Sequence, residues 1–89
     1  MTFTGLLVRE GGGFYALCPE LDVASQGRDV REAKAMLKEA ITGYLESCIE
    51  SNLPYLRPVP REEDPRVCDE KNLVATYRLK ADLRVCVHV

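Results

Sequence analysis

Three consecutive glycines, Gly11 to Gly13, separate two apolar segments, and a short third segment closes on Ser25-Gln26-Gly27 before a capped amphipathic helix. No other feature constrains the chain as much. Phe3, Leu6, Leu7 and Val8 fill the first segment, which ends in Arg9 and Glu10, and Phe14 to Cys18 form the second. Segments of this length, rich in aromatic and apolar side chains, read as strands. Glycine adopts positive φ without a steric penalty, so the chain reverses at the triple glycine and the segments pair as an antiparallel hairpin. Pro19 ends the second strand because it has no N–H to offer a ladder. Val23 to Gln26 forms a short third strand, and Gly27 permits a tight exit into the helix. The predicted order is β-β-β-α.

Asp29 followed three residues later by Glu32 is a capping-box pattern, in which each side chain satisfies an otherwise unpaired backbone donor. Val30, Ala33, Leu37, Ala40, Ile41, Tyr44, Leu45 and Cys48 then recur at three- and four-residue steps, with Arg31, Lys34, Lys38, Glu39, Glu46 and Glu50 on the other face. This predicts a helix of about twenty residues, roughly 30 Å long and sufficient to cross a small sheet. Asn52 and Pro54 supply its stop signals.

Beyond the helix, Pro54, Pro58, Pro60 and Pro65 alternate with charged side chains, which predicts an extended connector rather than a second packed helix. From Leu73 to Val89 apolar residues fall at every second position. That pattern exceeds the usual strand of about five or six residues. It implies one long strand or two strands joined near Lys80-Ala81-Asp82, and the lack of glycine there favours the long strand. A long strand with one apolar face exposes a pairing edge, so a second copy is expected to cover it, with Leu79, Leu83, Val85 and Val87 at that interface. The chain is thus read as one domain over 1–89, with a core at 3–53, a Pro-rich connector at 54–70 and a C-terminal strand region at 72–89.

A length of 89 residues supports a thin two-layer core, for which oligomerisation would be an aid. The net charge of -2 argues against a dedicated nucleic-acid surface. No apolar run reaches the roughly twenty residues that span a bilayer, and the N-terminus lacks a signal-peptide pattern, so a cytoplasmic protein without membrane association is expected. Cys18, Cys48, Cys68 and Cys86 form no C-x-x-C pair; Cys18 and Cys48 read as small buried hydrophobes. Cys86 and His88 could share a metal, but two ligands are too few. His88 is the only histidine and has no nucleophile partner, and the spacing of Glu10, Glu20, Asp22 and Asp29 does not require a metal site. The expectation is therefore no catalytic residues, no metal and no cofactor.

Gly13-Phe14-Tyr15, the strand end Cys18-Pro19-Glu20-Leu21, the Ser25-Gln26-Gly27 turn, and a helix opening with Glu32-Ala33 and continuing through Ala40, Tyr44 and Leu45 together resemble the HicB family, over Gly5 to about Pro60. HicB proteins are the antitoxin half of HicA–HicB toxin–antitoxin modules, and the family includes small uncharacterised HicB-like proteins of the UPF0150 type. The resemblance implies an α+β fold: a partial ribonuclease-H-like β-β-β-α-β arrangement without catalytic carboxylates, in which one long helix packs on an antiparallel sheet, here with a C-terminal strand extension. Two departures stand out. Asp22-Val23-Ala24 replaces a frequent Pro-Gly-Cys, and no helix-turn-helix or ribbon-helix-helix pattern follows the core, which leaves operator binding by this chain in doubt.

The resemblance also implies a function, the occlusion of a HicA-type toxin, a small basic ribonuclease that cuts mRNA. Glu20 and Asp22, with Glu10 on the hairpin, are the expected toxin-binding residues, because an acidic surface complements a basic partner. Charge reversal at Glu20 and Asp22 is expected to weaken binding and leave the thermal melt unchanged. Self-association as a homodimer or higher oligomer is expected as well. Two alternatives stay open: an orphan dimeric interaction module without a toxin, and a residual metal-dependent nuclease or nucleic-acid binder.

Overall fold

A four-stranded antiparallel sheet, ordered β3-β2-β1-β4, carries one long helix on one face and an irregular strap on the other. The computed structural model describes residues 1–81. Its strands are β1 (Thr2–Glu10), β2 (Gly13–Cys18), β3 (Val23–Gly27) and β4 (Leu73–Lys80), and its helices are α1 (Val30–Glu50) and a single turn, α2 (Pro65–Cys68). The α+β class and the β-β-β-α-β order agree with the sequence reading.

The hairpin forms where expected, with Glu10 opposite Gly13 and only Gly11 and Gly12 between the strands. Gly11 takes φ +58°. A positive φ at the first of two turn residues matches the right-handed twist of the paired strands. Gly27 is required for space rather than rotation, since a Cβ there would lie 2.3 Å from the backbone nitrogen of Ala33. It lets α1 start directly against β3.

The start of α1 is a variant of the expected capping box. Asp29 Oδ1 accepts from the backbone N–H of Glu32 at 2.8 Å, but the Glu32 carboxylate reaches one residue further back, accepting from the N–H of Arg28 at 3.0 Å. Its end is a Schellman motif: Asn52 takes φ +51°, its N–H bonds the Ile49 carbonyl, and the Leu53 N–H bonds that of Cys48. Ala33, Leu37, Ile41, Leu45 and Cys48 form the buried stripe.

Strand register separates the two faces of the sheet. Phe3, Leu7, Ala16, Cys18 and Leu79 point toward α1 and join Leu37, Ile41 and Leu45 in one core. Gly5 is opposite Tyr77 on this face, and a Cβ on Gly5 would fall 2.3 Å from the ring. The ring therefore occupies the space that a side chain on the neighbouring strand would fill. Leu6, Val8 and Leu17 point the other way and are equally buried.

What lies over that second face is the predicted connector. Residues 53–60 are extended as expected, but residues 61–72 fold into 3-10 turns at Arg61–Glu63 and Glu70–Asn72 around α2. Asp64 caps α2, and Pro65, its first residue, is fully buried. Proline at the first helical position loses no hydrogen bond, so the prolines that break a long helix still permit these single turns.

β4 departs from strict alternation at its start. A bulge lets Leu73 pair with Val8 while Ala75 pairs with Leu7, leaving Val74 unpaired and 45% exposed. Leu73 thereby shifts to the second face, since one extra residue inverts parity. The strand ends at Lys80, opposite Thr2 where β1 begins, and the Ala81 N–H bonds the Met1 carbonyl. The choice between a long strand and a hairpin beyond Lys80, the proposed Cys86–His88 pair, and Leu83, Val85 and Val87 all fall outside the described residues. Leu79, expected at an oligomer surface, is instead 7% exposed and part of the core beneath α1. Its side chain is on the helix-facing side, and among the described residues β4 pairs with β1 alone. No helix among the described residues is long and apolar enough to cross a membrane.

Candidate interaction surface

The β2–β3 loop, Pro19 to Asp22, lies beside the extended part of the strap. Pro19 closes β2, and the Leu21 N–H returns to the Cys18 carbonyl at 3.3 Å, burying the Leu21 side chain completely. Asp22 then takes φ +52°, a left-handed conformation that an aspartate tolerates better than most residues, and presents an exposed side chain. The strap is fastened to this loop by its backbone: the Arg57 N–H donates to the Glu20 carbonyl at 3.0 Å, and that of Val59 to the Pro19 carbonyl at 2.8 Å.

Side chains add to the fastening. Arg57 donates through Nε to the Leu21 carbonyl and through Nη2 to the Asp22 carbonyl, both at 3.3 Å, with its guanidinium 5.0 Å from the centre of the Tyr44 ring. The Tyr44 hydroxyl in turn donates to the Tyr55 carbonyl at 2.8 Å. Arg57 is thus committed to the loop carbonyls while remaining exposed. Further along, Arg66 and Asp64 form a forked ion pair with a shortest distance of 2.7 Å. That pairing holds the Asp64 carboxyl below its ordinary pKa.

Glu20, one of the three expected binding residues, has a structural task. Its carboxylate accepts from the Thr4 N–H at 3.0 Å, the Thr4 hydroxyl at 2.8 Å and the Cys18 thiol at 3.6 Å, tying the loop to β1. Burial pushes the Cys18 thiol up to about 11, and the nearby Glu20 charge acts in the same direction. Charge reversal at Glu20 would break this network, so the expectation of an unchanged melt holds only for Asp22. Glu10 is not part of the surface. It lies at the hairpin end of a strand pair whose second member is six residues long, roughly 20 Å from the loop. Asp29 is engaged as the cap of α1. Among the described residues no group of three His, Cys, Asp or Glu side chains has an arrangement that could hold a metal ion.

Between loop and strap runs a groove of about 300 Å³, lined by Thr4, Pro19, Glu20, Leu56, Pro58, Val59, Asp64 and Arg66. It adjoins a more polar cleft of about 540 Å³ that shares Thr4, Glu20 and Arg66 and extends to Thr76 and Arg78 on β4. The sequence reading missed Leu56, Val59, Asp64 and Arg66. A signal existed in part: Asp64-Pro65 is a cap followed by a first-turn proline, and Leu53, Tyr55, Leu56 and Val59 interrupt the charged run.

Comparison with known proteins places this fold. No protein-family model matches the chain. A UPF0150 protein of Synechocystis sp. is 48% identical over 42 residues, a match covering 46% of this chain and 58% of that relative. The N-terminal domain of the Burkholderia pseudomallei antitoxin HicB superposes over 93% of this chain and 100% of its own, with a TM-score of 0.67 and 23% identity. A longer structure of the same antitoxin matches over 94% of this chain and 64% of its own, with a TM-score of 0.69 and 23% identity. A chain of the HicA3–HicB3 toxin–antitoxin complex matches over 92% of this chain and 99% of its own, with a TM-score of 0.66 and 20% identity. The fold is that of HicB antitoxins, in agreement with the resemblance carried by the sequence.

Proposed function

We propose that the chain acts as an antitoxin of the HicA–HicB kind, binding a small basic mRNA-cleaving toxin and covering its active site rather than performing chemistry of its own. The observation that carries this reading is the shared fold: more than nine-tenths of the chain superposes on antitoxin chains, one of them from a complex with its toxin. The acidic loop supports it, since Asp22 offers a carboxylate not used in any side-chain hydrogen bond among the described residues and suited to a basic partner. Glu10 is remote from that loop and would join only a footprint that wraps the sheet. Operator DNA is not part of this reading.

The test is genetic and direct. A small basic open reading frame beside this gene, expressed alone, is expected to arrest growth and degrade mRNA, and co-expression of this chain is expected to restore growth. Continued arrest on co-expression would refute the antitoxin role. A second reading, an orphan module that only self-associates, is favoured by the edge position of β4, which among the described residues pairs with β1 alone. A homodimer through that edge would appear in sedimentation equilibrium, and the absence of any toxin gene nearby would leave it as the stronger account.

A further inference from the structure

We infer that the partner-docking surface is anchored by an apolar patch on the strap, centred on Leu56 beside Pro58 and Val59, with Asp22 as its charged rim and Glu20 serving only to position the loop. The identity of the partner rests on the antitoxin reading; the location of the patch does not. Leu56 is 63% and Leu53 60% exposed, more than any other large apolar side chain among the described residues. A single exposed leucine is unremarkable on a soluble protein. Leu56, however, sits on a segment held by backbone bonds to Pro19 and Glu20 and by the Tyr44 hydroxyl, so it is presented in a fixed geometry. Fixing a surface before binding lowers the entropic cost of association. Leu56 also forms one wall of the groove with Pro19, Pro58 and Val59, a concavity of about 300 Å³ that suits an inserted side chain.

Charge selects among occupants. Residues 19–22 and 53–66 together hold five carboxylates, Glu20, Asp22, Glu62, Glu63 and Asp64, against the three guanidinium groups of Arg57, Arg61 and Arg66, of which the last is paired with Asp64. The whole chain has a net charge of only -2, so its acidity is concentrated here. The Arg57 guanidinium, though exposed, is engaged by the loop carbonyls and the Tyr44 ring. A second copy meeting this face across a two-fold axis would set the same acidic rim against itself. A small basic protein with an apolar side chain to insert fits both properties. Interfaces of this kind draw most of their energy from a few enclosed apolar anchors, with rim charges governing encounter rate.

Calorimetric titration against the product of the neighbouring small basic open reading frame, in a form that no longer cleaves RNA, tests the assignment. Leu56→Asp should weaken binding about 30-fold or more while its thermal melt matches wild type, because the side chain is mostly exposed. Asp22→Lys should weaken it less, by roughly tenfold, through slower association that added salt masks. Val74→Asp, on the remote bulge of β4, should bind as wild type. Wild-type affinity in Leu56→Asp would overturn the patch and leave the antitoxin reading intact. Failure of the wild-type chain to bind would overturn that reading and the partner assignment together. A dimer of this chain that Leu56→Asp dissociates would make the patch a self-interface and exclude the basic partner.

Discussion

The two faces of the sheet are covered by opposite means, one across all four strands and the other only over its middle, where Ala24, Gln26, Thr76 and Arg78 on the outer strands stay exposed. On one, Phe3, Leu7 and Leu79 meet a 21-residue helix whose buried stripe follows a single period. On the other, Leu6, Val8 and Leu17 lie under a proline-rich strap fastened by individual hydrogen bonds, a buried Pro65 and the Asp64–Arg66 pair. The difference shows that burial does not require periodicity. A long helix presents a continuous apolar stripe, whereas a strap must satisfy its backbone groups one at a time, with the loop carbonyls or with single helical turns. It also leaves apolar side chains such as Leu56 pointing outward, which a fully amphipathic helix would have turned in.

The largest expected contrast is in core truncation. Leu37→Ala, beneath the rigid helix, should destabilise the fold by about 3–4 kcal/mol, and Leu6→Ala, beneath the strap, by about 2 kcal/mol, because the cost of a cavity depends on how far its walls relax. Urea denaturation of both variants measures this, and equal losses would mean that the strap is as unyielding as the helix. Next in size is Gly5→Ala, whose methyl group would overlap the Tyr77 ring. It should cost about 2 kcal/mol, and combining it with Tyr77→Leu should recover part of that loss in a double-mutant cycle.

A smaller effect separates the faces by pH. The Asp64 pKa is depressed chiefly by its side-chain hydrogen bond to Arg66. A carboxylate depressed on folding contributes stability that is complete above its unfolded pKa of about 3.9 and is lost as pH falls through its lower folded value. Asp64→Asn should therefore lower the melting temperature at neutral pH and flatten its decline below about pH 4; parallel pH profiles for variant and wild type would remove the pair from the strap's stability. The last comparison leaves stability untouched. Cys68, exposed on the strap, should react with iodoacetamide at pH 8 far faster than Cys18, which is fully buried and has its thiol pKa pushed up to about 11. Peptide mapping by mass spectrometry resolves the two sites, and similar rates would indicate that the helix-covered face opens readily.

Legibility in the sequence follows the same division. Gly11, Asp29, Glu32, Asn52 and the stripe from Ala33 to Cys48 act on neighbours within one turn of chain, so the hairpin and α1, with both its ends, are legible in the sequence. Glu20 shows the limit. As a carboxylate after Pro19 it reads as a free loop charge, and its partners Thr4 and Cys18 become visible only once β1 lies beside the end of β2. Leu73 shows another, because the bulge at Val74 that inverts its direction is fixed by pairing with Val8.

Local chemistry alone determined the order of elements, the caps and the apolar face of α1, because each depends on interactions a few residues apart. Tertiary structure decided the rest: that the connector covers the middle of the second face, that Leu79 is spent in the core, that Glu10 and Glu20 stand at opposite ends of the sheet, and that Leu56 is held beside Pro19 and Glu20. These depend on contacts between residues distant in sequence, whose partners are chosen only when strands, loop and strap compete for the same buried surface.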